Sequence, residues 1–423
     1  MGVLSNIAIV VAAISFLTFV ALFGQLPVLR KTPIGWLQRA LCLHAPRGLR
    51  ALDRVTTGGR ITIKSKRLGR YLFYEKNPIV IIIFLGLMTG SAILFLCFAI
   101  PELPASLILP IPFLVVQPYL FTWLCVRHRG HYINPSTHTT RLHDYPYDDT
   151  LFVANNTCST CNLAKPARSK HCSLCGVCVA MCDHHCPWIN NCVGRGNYRW
   201  FLALLLSLGL MEIYGAYLSY WILRPFLTIN PGNGYFGQAY WDDVLRVTVI
   251  AINAGGLSIA GVGMLMVATF TLPLGLLAYH CYLIWAGMTT NESSKWADLR
   301  EDMADGVVFK CSREALRTHN RLRKYGDRNA GYGNGSNPGF ANGASGSGYA
   351  NGGSNPALHD WDVADELYVA WPISSDQIVV RTMDGRAPTG QEALWTQVWS
   401  LADVVNLYDL GGWDNFMQIM KGG

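Results

Sequence analysis

The sequence predicts an all-α, multispanning membrane protein of about five transmembrane helices, with a small cysteine-rich domain between them on the cytosolic side. Three observations carry that reading. Of the 423 residues, 51% are hydrophobic and only 14% charged, well below the charged share of about a quarter usual for soluble domains. The apolar residues come in blocks of about 20 rather than at helical or strand periods, the mark of lipid-facing helices. Eight of the 13 cysteines and three of the 11 histidines fall between Cys158 and Cys192.

The first block, Val3 to Gly24, lacks a basic n-region and outruns a signal-peptide core, so it reads as a retained span. Segment 25–77 follows; from Arg30 to Lys76 it holds twelve Lys or Arg against Asp53 and Glu75. Region 78–126 contains spans two and three, Ile79 to Ile100 and Leu103 to Val126, with no Lys or Arg in their short connection. The cysteine-rich domain occupies 127–199. Region 200–288 contains span four, Trp200 to Leu223, and a last block within Val247 to Met288. Gly255–Gly256 and Pro273 interrupt that block, which is long enough for two short helices. Parity selects one crossing, because the stretch beyond it carries Lys295, Arg300, Lys310, Arg313, Arg317, Arg321, Arg323 and Lys324. Positive-inside counting then places 25–77, 127–199 and the C-terminus in the cytosol and the N-terminus outside. Trp221, Tyr235, Phe236, Tyr240 and Trp241 form the expected outer aromatic belt.

Segment 289–328 is basic. From 329 to 356 Gly, Asn and Ser dominate and cannot bury enough apolar surface to offset ordering entropy, so a flexible linker is expected. The tail, 357–423, regains apolar character and is expected to dock back on the cytosolic face or the membrane. Net charge is +7, modest for the length, and no nucleic-acid partner is expected. A channel or transporter is disfavoured, because Glu212 is nearly alone as a charge within the spans. Gly209, Gly215, Ala216, Gly261 and Gly263 are small enough to permit close helix packing.

A cytosolic cluster sits where disulfides rarely persist, which favours metal ligation or thiol chemistry. Cys158–Cys161 and Cys172–Cys175 are C-x₂-C knuckles, and thiolate with imidazole at short spacing suits tetrahedral zinc. Cys178, Cys182, Cys186, Cys192, His171, His184 and His185 are also available. Two closed sites use eight ligands; spacing alone does not say which three of the eleven are left over.

The run Asp183-His184-His185-Cys186-Pro187-Trp188, followed by Asn190, Asn191, Cys192, Gly194 and Asn197-Tyr198, resembles the DHHC protein S-acyltransferases (palmitoyltransferases). Thr289-Thr290-Asn291-Glu292 matches that family's TTxE motif. Asn406-Leu407-Tyr408-Asp409-Leu410-Gly411, with Asn415-Phe416, is similar to its C-terminal docking motif. The resemblance implies one structural zinc on Cys158, Cys161, His171 and Cys178 and a second on Cys172, Cys175, His185 and Cys192. It implies Cys186 as the nucleophile, His184 as its base and Asp183 as the group that orients His184, with Thr290 contacting Asp183. The implied cosubstrate is acyl-CoA (palmitoyl-CoA). Lys165, Arg168 and Lys170 would meet its phosphates, the alternative being a solvated basic patch near anionic lipid. Trp188 and Phe201 match positions near the acyl chain, the alternative being interfacial aromatic anchors; Asn415 is expected to satisfy buried backbone groups. The extra N-terminal span and basic segment resemble a fungal branch of the endoplasmic reticulum membrane, with the Golgi the runner-up. Its protein substrates carry cytosolic juxtamembrane cysteines, SNAREs among them.

Two rival readings come from other classes. A membrane-bound RING-like ubiquitin ligase would also have interleaved zinc sites, but its pattern closes on a C-x₂-C pair and Cys192 stands alone. A non-catalytic zinc scaffold would leave Cys186 without a chemical role.

Overall fold

The computed structural model of the chain describes residue 20 and residues 31–227, 238–330 and 369–422. Apart from Val20, the expected first span lies outside the described residues, as do Tyr235 and Phe236 of the belt and nearly all of the Gly/Asn linker. The chain divides into two units, Met1–Asn77 and Pro78–Gly423.

In the first unit the helices α1 (Pro33–Arg39), α2 (Ala45–Thr57) and α3 (Arg60–Tyr74) follow one another. The turn between α2 and α3 places Gly58 and Gly59 at positive φ, where a side chain is disfavoured. The Asp53 carboxylate, on α2, accepts from the Thr62 N–H at 2.8 Å and the Thr62 hydroxyl at 2.6 Å. It thereby satisfies donors that the first turn of α3 would otherwise leave open.

Among the described residues four stretches are long and apolar enough to cross a membrane: Ile79–Glu102, Ala105–Arg127, Tyr198–Phe226 and Tyr240–Trp285. Their helices are α4 (Ile79–Ala99), α5 (Ile111–Arg127), α6 (Tyr198–Leu223), α7 (Gln238–Gly256), α8 (Val262–Thr269) and α9 (Thr271–Trp285). The last stretch is 46 residues, about 70 Å as one straight helix, more than twice the hydrocarbon core. It breaks at Gly256, whose φ of 57° and ψ of −160° no helix contains; a π-helical turn, Leu257–Gly261, then leads into α8 and α9. Pro273 marks a second interruption: α8 ends at Thr269 and α9 begins at Thr271, and proline has no N–H to give the Thr269 carbonyl four residues back.

Close approach of α6 to α8 and α9 depends on glycine. A Cβ on Gly209 would lie 2.4 Å from Leu274, one on Gly215 2.3 Å from Met266 and one on Gly263 2.0 Å from the Ser219 hydroxyl. The nearest neighbours of a Cβ on Gly261 are Leu257 and the Gly256 carbonyl of its own turn, so it is not part of this seam.

Between α5 and α6 the cysteine-rich segment forms two small antiparallel ribbons. In the first, β1 (Tyr132–Ile133) and β2 (Lys170–Cys172) flank β3 (Val177–Val179); the second pairs β4 (His184–Cys186) with β5 (Asn191–Val193). Beyond α9 come α10 (Thr290–Ala304), β6 (Val308–Ser312) and α11 (Arg313–Ala330). The tail returns: β7 (Gln377–Arg381) and β8 (Thr396–Gln397) pair with β6 on either side. The amphipathic α12 (Gly412–Lys421) packs on α9 and α6. Tyr408 enters the main core, its hydroxyl donating to the Pro146 carbonyl at 2.9 Å. Asn415 donates to Asp409 at 2.8 Å and accepts from the Leu410 N–H at 2.9 Å, the structural role expected of it.

Gly263→Ala should lower the thermal stability of the detergent-solubilised protein by about 1–3 kcal/mol. Ser219 is tied to the Ile259 carbonyl at 2.9 Å and has little freedom to yield. Gly275→Ala, with nothing within 4 Å of its Cβ, should leave the melting temperature unchanged or raised. Equal melting curves for the two variants would refute the packing account.

Candidate active site

The two C-x₂-C knuckles are built alike. The N–H of Cys161 points at the Cys158 sulfur at 3.5 Å, and that of Cys175 at the Cys172 sulfur at 3.4 Å. Each turn ends in a left-handed residue, Asn162 (φ 55°) in one and Gly176 (φ 69°) in the other, as a tight backward turn requires. The strands then bring in the remaining donors. His171 lies directly opposite Cys178 across β2–β3, and His185 opposite Cys192 across β4–β5.

Cys158, Cys161, His171 and Cys178 form one group and Cys172, Cys175, His185 and Cys192 another, each with its donor atoms within 4.8 Å of one another. From the His171 Nδ1 the three sulfurs lie at 3.5, 3.4 and 3.9 Å. From the His185 Nδ1 they lie at 3.7, 3.4 and 3.7 Å. Tetrahedral zinc at its usual bond lengths needs donors about 3.5–3.8 Å apart. Both Cys₃His groups fit zinc, and four protein donors close each site. The two groups interleave along the chain, since Cys172 and Cys175 fall between His171 and Cys178.

Alternation along β4 separates scaffold from chemistry. Side chains at i and i+2 share a face and the one between faces away. His185 therefore points into the second donor group while His184 and Cys186 share the opposite face. His184 and Asp183 meet through Nδ1 and Oδ2 at 2.6 Å, and His184 hydrogen-bonds Cys186 as well. Burial opposes the imidazolium, yet the hydrogen bonds to Asp183 and Cys186 raise His184 to about 10. Burial likewise opposes charge on Asp183, but the hydrogen bond and charge of His184 hold its carboxyl below the ordinary range. The other oxygen of Asp183 accepts from the Thr290 N–H at 2.8 Å.

Cys186 opens onto an apolar cavity of about 540 Å³ between the spans, lined by Trp188, Phe201, Leu204, Leu208 and Leu276 among others. Trp188 packs edge-on against Phe84, with ring centroids 6.0 Å apart, and Phe201 sits 5.5 Å from the His184 ring.

The segment after the last span is locked to this face. Thr289 caps α10: its hydroxyl accepts from the Glu292 N–H while the Glu292 carboxylate accepts from the Thr289 N–H, a reciprocal box. The Thr289 hydroxyl also donates to the Cys182 carbonyl at 3.2 Å. Both Glu292 oxygens accept from Arg168 at 2.7 Å. The Arg168 guanidinium is stacked on the rings of Tyr145 (5.1 Å) and Tyr408 (4.7 Å).

A DHHC palmitoyltransferase family model matches residues 152–297. Palmitoyltransferase SWF1 of Neurospora crassa is 37% identical over 99% of this chain and 92% of its own length. The chain belongs to the DHHC palmitoyltransferase family. Palmitoyltransferase swf1 of Emericella nidulans is also 37% identical, over 99% of this chain and 97% of its own. Palmitoyltransferase ZDHHC4 of Mus musculus is 31% identical over 53% and 67%. The chain is thus a multi-pass protein S-palmitoyltransferase, and the ubiquitin-ligase and inert-scaffold readings fall away.

Against the DHHC expectations, the structure moves one residue, Arg168. Arg168 is 2% exposed with its charge spent on Glu292, so it does not reach a CoA phosphate; only Lys165 and Lys170 of the basic trio face a polar cavity. Thr290 meets Asp183 through its main-chain N–H, and its hydroxyl is buried without a partner. The side-chain work of the Thr-Thr pair belongs to Thr289. Sequence reasoning also missed His280. Its ring on α9 lies 5.7 Å from that of His184 and is 1% exposed. An ionisable residue inside a span is a functional candidate by default, and that signal was available at position 280.

Removing one partner of a buried pair strands the other charge, at about 3–5 kcal/mol. Arg168→Leu and Glu292→Leu should each abolish most folded protein on size exclusion, with the double variant recovering part of it. Wild-type melting in either single variant would contradict this.

Proposed function

We propose that the enzyme moves a palmitoyl group from palmitoyl-CoA through an acyl-Cys186 intermediate to cysteines of membrane-associated proteins. The carrying observation is the position of Cys186, outside both donor groups, between His184 and the apolar cavity.

His184 holds its proton as an imidazolium beside Cys186, and the Cys186 thiolate attacks the acyl-CoA carbonyl carbon. The new C–S bond forms as the old one breaks, and CoA leaves as a thiol carrying the proton from His184. A substrate cysteine, deprotonated by His184, attacks the acyl-Cys186 carbonyl and restores the Cys186 thiolate. Both steps exchange one thioester for another, so no energy input is needed. Asp183 holds the imidazole with Nδ1 inward, as the carboxylate of a catalytic triad does. The cavity gives the alkyl chain apolar surroundings worth about 0.8 kcal/mol per buried CH₂. The two zinc ions, held by Cys158, Cys161, His171 and Cys178 and by Cys172, Cys175, His185 and Cys192, would fix the strand that carries His184 and Cys186.

A polar cavity of about 350 Å³, where Lys165, Lys170 and Lys295 outnumber a single carboxylate, Asp298, suits the CoA phosphates. The Lys295 ammonium lies 3.8 Å over the Phe152 ring, and burial pushes its pKa down, a penalty that a bound anion offsets. The positive-inside count supports a cytosolic site. The resemblance to the fungal branch supports the endoplasmic reticulum, ahead of the Golgi, and substrates whose cysteines flank a membrane helix, SNAREs included.

Cys186→Ser should abolish hydroxylamine-sensitive labelling by palmitoyl-CoA, while Cys182→Ser retains it; labelled Cys186→Ser protein would overturn the reading. Lys165→Ala combined with Lys170→Ala should raise KM for palmitoyl-CoA about tenfold at nearly constant kcat, the pattern of lost uniform binding. An unchanged KM would remove the polar cavity from the CoA site.

A further inference from the structure

Asp183 is held from more sides than the dyad requires. One of its oxygens takes the Thr290 N–H and the other takes His184. The His280 Nδ1 lies 3.9 Å from that second oxygen, and Nδ1 shares a 2.8 Å hydrogen bond with the Tyr198 hydroxyl. The Tyr198 hydroxyl itself faces Asp183. Tyr198 and His280 are each 1% exposed and come from α6 and α9, two helices that wall the apolar cavity.

A tyrosine hydroxyl has one proton to give. If it goes to His280, the Tyr198 oxygen turns only lone pairs toward the buried carboxylate, which costs energy. If His280 instead carries its proton on Nδ1 and donates to Tyr198, the tyrosine proton is released to Asp183. We propose that Tyr198 and His280 form this directed relay, His280 to Tyr198 to Asp183, and act as positioning residues for the Asp183–His184 pair. The relay fixes the carboxylate so that His184 presents its far nitrogen to Cys186. It also ties that orientation to the packing of α6 on α9, the two walls against which the acyl chain must lie.

The inference rests on the reading of Asp183, His184 and Cys186 given above, and the test separates the two. Purified full-length variants in nanodiscs are compared for the single-turnover rate of Cys186 acylation, palmitoyl-CoA KM and zinc content. Tyr198→Phe keeps the buried ring and removes one oxygen. It should slow acylation about tenfold or more while KM stays within about twofold and both zinc ions remain. His280→Asn, which keeps an N–H near the Nδ1 position, should recover activity that His280→Leu loses. Wild-type acylation in Tyr198→Phe overturns the relay, as does a slowed rate accompanied by lost zinc or folded protein, which marks a packing role. His280→Asn no better than His280→Leu also overturns it. Cys186→Ser runs alongside: labelling there fails the functional reading, whereas a dead Cys186→Ser beside a fully active Tyr198→Phe fails only the relay.

Discussion

The ion pair between Arg168 and Glu292, closed off from water, is the constraint on which the placement of the reactive centre depends. It joins a loop of the cysteine-rich domain to the first turn of α10, 124 residues later in the chain. Glu292 accepts from Arg168 in the same orientation that completes the cap on Thr289, its Oε2 taking both donors. That cap fixes the backbone whose next N–H, of Thr290, reaches Asp183. One buried charge pair therefore sets the register between the last span and the strand that carries Cys186. The rings of Tyr145 and Tyr408 cover the guanidinium, so the C-terminal tail seals the same joint.

The metal-ligand groups solve a different problem. A segment with two ribbons of two- and three-residue strands has too little apolar core to hold its shape, and crosslinks through metal supply what burial cannot. Interleaving the ligands means that neither site can close without ordering chain that belongs to the other. Alternation along β4 then does the sorting, with His185 turned into the scaffold and its neighbours turned toward the cavity. Scaffold and chemistry share one strand and differ by its pleat.

The spans were legible because an uncharged apolar block long enough to cross the hydrocarbon core has little use in water, and the break at Gly256 was foreshadowed by Gly255–Gly256. Pro273 likewise foretold the boundary between α8 and α9, which falls at Phe270, three residues before it. The donor groups followed from knuckle spacing together with the family resemblance. Arg168 was not legible: among lysines and metal ligands an arginine reads as solvent-facing, and its partners Glu292 and Tyr408 lie more than a hundred residues away. That Thr290 meets Asp183 through its main chain while Thr289 caps the helix was hidden for a similar reason. Only the N-cap position decides which threonine turns its hydroxyl onto the backbone. His280 differed, because a histidine within an apolar span is informative in itself.

The eight clustered cysteines divide into six metal ligands, one buried bystander, Cys182, and one nucleophile. Native mass spectrometry of the full-length protein in detergent, before and after palmitoyl-CoA, tests that division in one measurement. The predicted spectrum shows two zinc ions per chain throughout and a single hydroxylamine-labile acyl group after palmitoyl-CoA, mapped by peptide analysis to Cys186. Fewer than two zinc ions, or an acyl group on any of the six ligand cysteines or on Cys182, would contradict it.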